Sequence, residues 1–137
     1  MDLSHNFLVD VKELKNLTKL KHLKLDNNFL NDRSAFGYLQ NLNILEMNNN
    51  KFVNLEKLVD KLSKAYPRLE YLSLLGNDLC PAINQQSKYI KYQQIVADRL
   101  PKLKYLDFKA LPKRKKNSND SEWLMAFQHS ASVAIHY

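Results

Sequence analysis

The chain is poor in the residues that carry most covalent and cofactor chemistry. Gly37 and Gly76 are its only 2 glycines in 137 residues, so no glycine-rich loop exists to cradle a phosphate. The single cysteine, Cys80, has no partner for an internal disulfide, which points to a reducing, intracellular setting. Cys80 stands beside Pro81 with no evident base, and reads as a small packing residue in preference to a nucleophile. His5, His22, His129 and His136 are scattered, none at metal-ligand spacing to Cys80. No apolar run is long enough to cross a bilayer, and the N-terminus lacks the basic, apolar and small-residue regions of a signal peptide. These absences predict a non-enzyme with no metal and no cofactor, located in the cytoplasm and with access to the nucleus.

Positive charge, by contrast, is plentiful. There are 21 basic and 14 acidic residues, a net charge of +7. Lys12, Lys15, Lys19, Lys21 and Lys24 crowd one stretch, and Lys113-Arg114-Lys115-Lys116 another. Asp10, Glu13 and Asp26 interrupt the first group, and no RNA-reading aromatic motif accompanies either. The expected reading is a solvated basic surface, without a nucleic-acid partner.

What organises the chain is a repeat. Leu20 to Leu30, LKHLKLDNNFL, places Leu20, Leu23, Leu25, Asn28 and Leu30 in an L-x-x-L-x-L-x-x-N-x-L frame. The frame returns at Leu42, Leu45, Met47, Asn50 and Phe52, and again at Leu69, Leu72, Leu74, Asn77 and Leu79. Leu3, Asn6 and Leu8 fill its last three places at the start, so the asparagines are spaced 22, 22 and 27 residues apart. Alternation such as Leu23-Lys24-Leu25-Asp26 predicts a short strand with one buried face, which only stacking of successive coils can cover. The predicted fold is α/β: a leucine-rich repeat solenoid, a right-handed β-α superhelix with a short parallel sheet on its concave face. Asn6, Asn28, Asn50 and Asn77 are the expected structural ladder, pairing their amides with backbone at each turn.

The connections differ in length. Leu8, Val11, Leu14, Leu17 and Leu20 recur every three residues, which suits a tight helical turn, and Phe36 and Leu39 supply the next connection. Leu55, Leu58, Val59, Leu62, Ala65 and Tyr66 share one face of a predicted α-helix capped by Asn54 and ended by Pro67. After Asn77 the frame breaks into a loop from Asp78 to Ser87. Tyr89, Tyr92, Val96 and Leu100 then stripe a helix expected to cap the core, followed by a last strand with Leu103, Leu106 and Phe108 in which Leu111 replaces the ladder asparagine. Residues 1–111 form the predicted repeat domain, with its cap at about 84–111, and 112–137 a basic, disordered tail. Within that tail Ser121 is the expected cap of a short helix with Trp123, Leu124 and Phe127 on one side. Because the chain opens midway through a frame, a shortened chain or a frayed first coil is expected.

The candidate binding surface is the concave face. Ser4, His22, Lys24, Asp26, Ile44, Glu46, Asn48, Tyr71, Ser73, Leu75, Tyr105, Asp107 and Lys109 are expected to project from it. Tyrosines flanked by aliphatic residues suit a protein interface, where one anchor contributes about 2 kcal/mol or more.

The coils resemble the intracellular class of leucine-rich repeats found in the phosphatase regulator and tubulin-associated proteins. Tyr89, Tyr92, Leu100-Pro101, Leu103 and Leu106-Asp107 resemble the cap of the spliceosomal A-prime family. The stretch YLSLLGNDLCP from Tyr71, followed by the tyrosine pair and LPKLKYLD, is similar to the melanocyte-differentiation-associated family of leucine-rich proteins. That resemblance implies a monomeric, non-catalytic adaptor working with a Rab-family GTPase or endosomal complex in melanosome biogenesis. The spliceosomal resemblance implies instead a ribonucleoprotein component that holds a protein partner beside small nuclear RNA.

Overall fold

Each frame of the repeat becomes a strand of two or three residues, and the strands align. The structure, a computed structural model, describes residues 1–82, 84–114 and 119–135. Strands β1 (His22–Lys24), β2 (Ile44–Glu46), β3 (Tyr71–Ser73) and β4 (Tyr105–Leu106) run parallel in that order. Leu23, Leu45, Leu72 and Leu106 sit side by side across them and are fully buried. A fifth strand, β5 (Lys109–Ala110), pairs antiparallel with β4, and Asp2 bridges Lys24 at the opposite edge. The described residues thus form a mixed α/β molecule with a five-stranded sheet and three α-helices.

The connections before β1, between β1 and β2 and between β2 and β3 differ in kind. Lys12–Asn16 is a 3-10 helix, as the three-residue apolar spacing requires. Between β1 and β2 the return is irregular, with Leu39 buried and Phe36 packed between Phe52 and Tyr66 at ring separations of 6.3 and 5.9 Å. Gly37 serves close approach there, because a Cβ would lie 2.5 Å from the Lys12 carbonyl oxygen. The return from β2 to β3 forms α1 (Leu55–Ala65), whose Asn54 side chain accepts from the Lys57 N–H at 3.1 Å. Leu58, Val59, Leu62 and Ala65 bury its inner face, each leucine contributing about 1.5–3 kcal/mol.

A left-handed residue precedes every ladder asparagine: His5, Asn27, Asn49 and Gly76, with φ of 60°, 58°, 55° and 75°. The asparagine then ties neighbouring coils together. Asn50 accepts from the Leu30 N–H at 3.1 Å and donates to the carbonyls of Leu25, Met47 and Asn48. Asn28 and Asn77 do the same one coil away on either side, the first accepting from Asn6 and Leu8 and the second from Phe52.

The last coil departs from the frame. Helix α2 (Gln86–Arg99) buries Tyr89, Tyr92 and Val96, and begins inside the loop predicted to reach Ser87. Asp107 and Phe108 both take left-handed conformations, φ 52° and 68°, so β4 stops at Leu106. Phe108 is therefore 64% exposed where a core strand position was expected. Asp107, expected on the outer sheet face, turns inward and is only 5% exposed.

The predicted disordered tail also needs correction. Asp120–Ile135 forms α3, which packs on α2 through Trp123 and Phe127, both buried and in edge-to-face contact at 5.1 Å. The cap is Asn119, which accepts from the Glu122 N–H at 2.8 Å, and Ser121 lies inside the helix. Trp123 donates from Nε1 to the Pro112 carbonyl at 3.1 Å, and the Arg114 guanidinium lies 4.2 Å over its ring. Two aromatic residues four apart give this segment an apolar stripe, and their burial docks it on α2. Lys115, Lys116, Asn117, Ser118 and His136 lie outside the described residues. Among those described, no helix is long and apolar enough to cross a membrane.

Candidate interaction surface

Alternation along each strand sends the leucines inward and their neighbours outward, so register alone assembles the outer face. His22, Ile44, Tyr71 and Tyr105 form one row across the four parallel strands, and Lys24, Glu46 and Ser73 the next. At its β1 end the face is polar and paired: His22 Nε2 lies 2.8 Å from Glu46 Oε2, and Lys24 Nζ 4.0 Å from Asp26. At the β4 end it is aromatic. Tyr71 lies 6.3 Å from Tyr105 and 5.9 Å from Phe108, the latter edge-to-face. Mutual contact stabilises the cluster by about 0.5–1.5 kcal/mol per pair. It nevertheless leaves Tyr105 47% and Phe108 64% exposed. Burial, with Glu46 and Asp107 nearby, raises the Tyr71 hydroxyl above its usual range, so it stays neutral.

Not every predicted surface residue is free to bind. Asp26 accepts from the Asn48 N–H at 2.8 Å, and Asn48 in turn accepts from the Ser73 hydroxyl at 2.6 Å and the Leu75 N–H at 2.9 Å. With the Ser4 hydroxyl accepting from the Asp26 N–H at 3.1 Å, these side chains make a second ladder beside the asparagines. Ser73 is fully buried in it, contrary to its expected projection from the face. Sequence reasoning had no means of separating these short polar residues from surface ones, because they occupy outward strand positions.

Asp107 is the centre of a buried cluster. Its carboxylate accepts from the Leu74 N–H at 2.7 Å, the Tyr92 hydroxyl at 2.8 Å, the Tyr89 hydroxyl at 3.1 Å and, weakly, the Cys80 thiol at 3.7 Å. Burial raises the Asp107 carboxyl above its ordinary range, while those donors pull it back. Burial and the Asp107 charge push the Cys80 thiol up to about 12 and raise both tyrosine hydroxyls. At neutral pH the thiol is therefore protonated and a poor nucleophile. No group of three or more His, Cys, Asp or Glu able to hold a metal occurs among the described residues. A cleft of about 500 Å³ lined by the end of α2, the segments 101–104 and 111–114 and Trp123 carries charges of both signs, Glu70 and Asp98 with Lys102, Lys104, Lys113 and Arg114.

Two exposed aromatic features escaped the sequence reading. Phe108 fell in a frame position that is apolar in every coil, so nothing in the sequence marked it as a surface residue. Phe7 and Phe29, each just after a ladder asparagine, stack in parallel at 5.9 Å and are 85% and 44% exposed.

A repeated leucine frame laid out as neighbouring parallel strands, with an asparagine ladder at the turns, defines a leucine-rich repeat protein. No family model matches the chain. It is 38% identical over 115 residues to the human leucine-rich melanocyte differentiation-associated protein, covering 78% of this chain and 58% of that relative. To the U2 small nuclear ribonucleoprotein A′ of Arabidopsis thaliana it is 33% identical over 110 residues, covering 79% of this chain and 41% of that protein. The chain thus spans about half the length of the curated relatives it matches.

Proposed function

We propose that this chain is a non-catalytic adaptor in the cytoplasm, a monomeric right-handed solenoid that docks a protein partner on the concave face of its sheet. The observation carrying this reading is the half-exposed aromatic cluster of Tyr71, Tyr105 and Phe108 at one end of a face whose charged side chains His22 and Glu46, at the other end, pair with each other. The similarity to the melanocyte differentiation-associated protein supports a role in melanocyte differentiation, and the partner proposed for it is a Rab-family GTPase or an endosomal complex. Replacing Tyr71 and Tyr105 together with alanine is expected to remove that partner set in affinity purification from intact cells, with the far-ultraviolet circular dichroism unchanged. Full retention of Rab-family or endosomal partners would sink the reading.

A second reading, a spliceosomal component that holds a protein beside small nuclear RNA, is supported by the similarity to the A′ protein and by the charge of +7. It predicts nuclear enrichment and co-purification with small nuclear RNA that is lost in moderate salt. Absence of small nuclear RNA from the purified complex at low salt decides against it.

A further inference from the structure

We propose that the flank of the sheet where the strands begin is a second docking surface, which takes an acidic protein segment and seats one apolar side chain of it in the cleft beside α2. The residue just before the first leucine of each frame is Lys19, Asn41, Arg68 or Lys102, and the residue just after it Lys21, Asn43, Glu70 or Lys104. Folding stacks these positions. The N–H groups of Asn43, Glu70 and Lys104 donate in turn to the carbonyls of Lys21, Asn43 and Glu70, each at 2.8 Å, so the second row crosses four coils side by side. In the first row Asn41 donates to the Thr18 carbonyl at 2.9 Å and accepts from the Arg68 guanidinium at 3.0 Å. Cations far apart in the sequence thus share one flank, on strands about 4.8 Å from their neighbours.

Charge of one sign is left over there. Lys19, Lys21 and Lys102 are exposed and form no ion pair among the described residues, while Lys104 pairs with Glu70 at 3.6 Å. Arg68 is exposed and spends one N–H on Asn41. The carboxylates that interrupt the lysines in sequence are engaged in other turns, Asp10 by the Lys12 N–H and Asp26 by the Asn48 N–H. Unpaired cations fixed along one flank raise a local positive potential, and its complement is an anionic partner.

The two rows run into the cleft of about 500 Å³, which Glu70, Lys102 and Lys104 line together with Ala97, Leu103 and Leu111. A volume of that order accepts an apolar side chain. Carboxylates along a flank with an apolar group in a cleft describe a protein segment. A nucleic-acid strand would call for exposed rings on which its bases stack. The ring lining the cleft, Trp123, is only 7% exposed, and the Arg114 guanidinium already lies 4.2 Å over it. This surface shares no residue with the aromatic cluster of the sheet face, so either can fail without the other.

The test titrates the full chain at low salt with two probes. One is a set of synthetic peptides of glutamate and alanine carrying a single leucine at successive positions; the other is an oligouridylate of equal net charge. The peptide with the best-placed leucine is expected to bind, and to weaken as salt rises. Lys19→Glu, Arg68→Glu and Lys102→Glu together are expected to weaken it by about tenfold or more. The same change of charge on the 3-10 helix and α1, by Lys12→Glu, Lys15→Glu and Lys57→Glu, is expected to leave it within about twofold. Glutamine at the first three positions is expected to fall between, and decides the matter if the reversed chain loses its circular dichroism. Replacing the leucine of the peptide by alanine is expected to cost about fivefold or more. Equal loss in the two triple variants reduces the effect to net charge and overturns the inference. Tighter binding of the oligouridylate, failure of every peptide to bind, or equal affinity with and without the leucine overturns it as well.

Discussion

The Asn50 side chain engages four backbone groups at once, one N–H and three carbonyls, at a site only 3% exposed. Alanine there strips partners from buried polar groups on two coils, so Asn50→Ala is expected to cost about 2–4 kcal/mol in urea unfolding. Asn6 caps the exposed first turn, where water replaces the amide, and Asn6→Ala is expected to cost less than about 1 kcal/mol. Equal losses at the two positions would show that the ladder does not work through burial. Asp107 makes a different prediction. Its folded-state carboxyl is raised above the ordinary 3.8, mainly by burial, so the protonated form is the one the fold favours. The stability it contributes is complete below the unfolded value and is lost as pH rises through the folded one. Asp107→Asn removes this titration. The stability of wild type relative to the variant is therefore expected to fall as pH increases from about 4, measured by urea unfolding of both across pH. A constant difference would contradict the raised carboxyl.

At the scale of elements, α3 shows how a short aromatic stripe docks a helix. Among the residues of α3 whose side chains are described, Trp123 and Phe127 are buried, and Phe127 is fully buried. Phe127→Ala is expected to remove about 3–5 kcal/mol of docking energy. Hydrogen exchange should then speed up across α3 while β1, β2 and β3 keep their protection, since α3 packs on α2 and not on those strands. Loss of protection throughout would instead make α3 part of the core unit. Helix α1 was legible because its cap, apolar face and terminating proline all lie within one continuous stretch. By contrast, α3 was only half legible: its aromatic side could be read, but the α2 surface that receives it is 30 residues away along the chain, as the Gln94 to Leu124 hydrogen bond illustrates.

For the whole molecule, the order of the parallel strands follows from a local rule repeated in register. Alternation fixes which side of each strand is apolar, and the asparagine spacing fixes where each coil turns, so Leu23, Leu45, Leu72 and Leu106 could be aligned before any coordinates. Those are one-dimensional properties, and the sequence by itself determined them. Only the tertiary structure decided which outward positions remain available. Asp26, Asn48 and Ser73 are consumed in bonds between coils, Asp107 is drawn into the cap, and Phe108 is turned out onto the face. The physical reason is that each of these fates depends on a partner contributed by another coil, Leu74, Tyr89 and Tyr92 in the case of Asp107, and spacing along one frame carries no record of it.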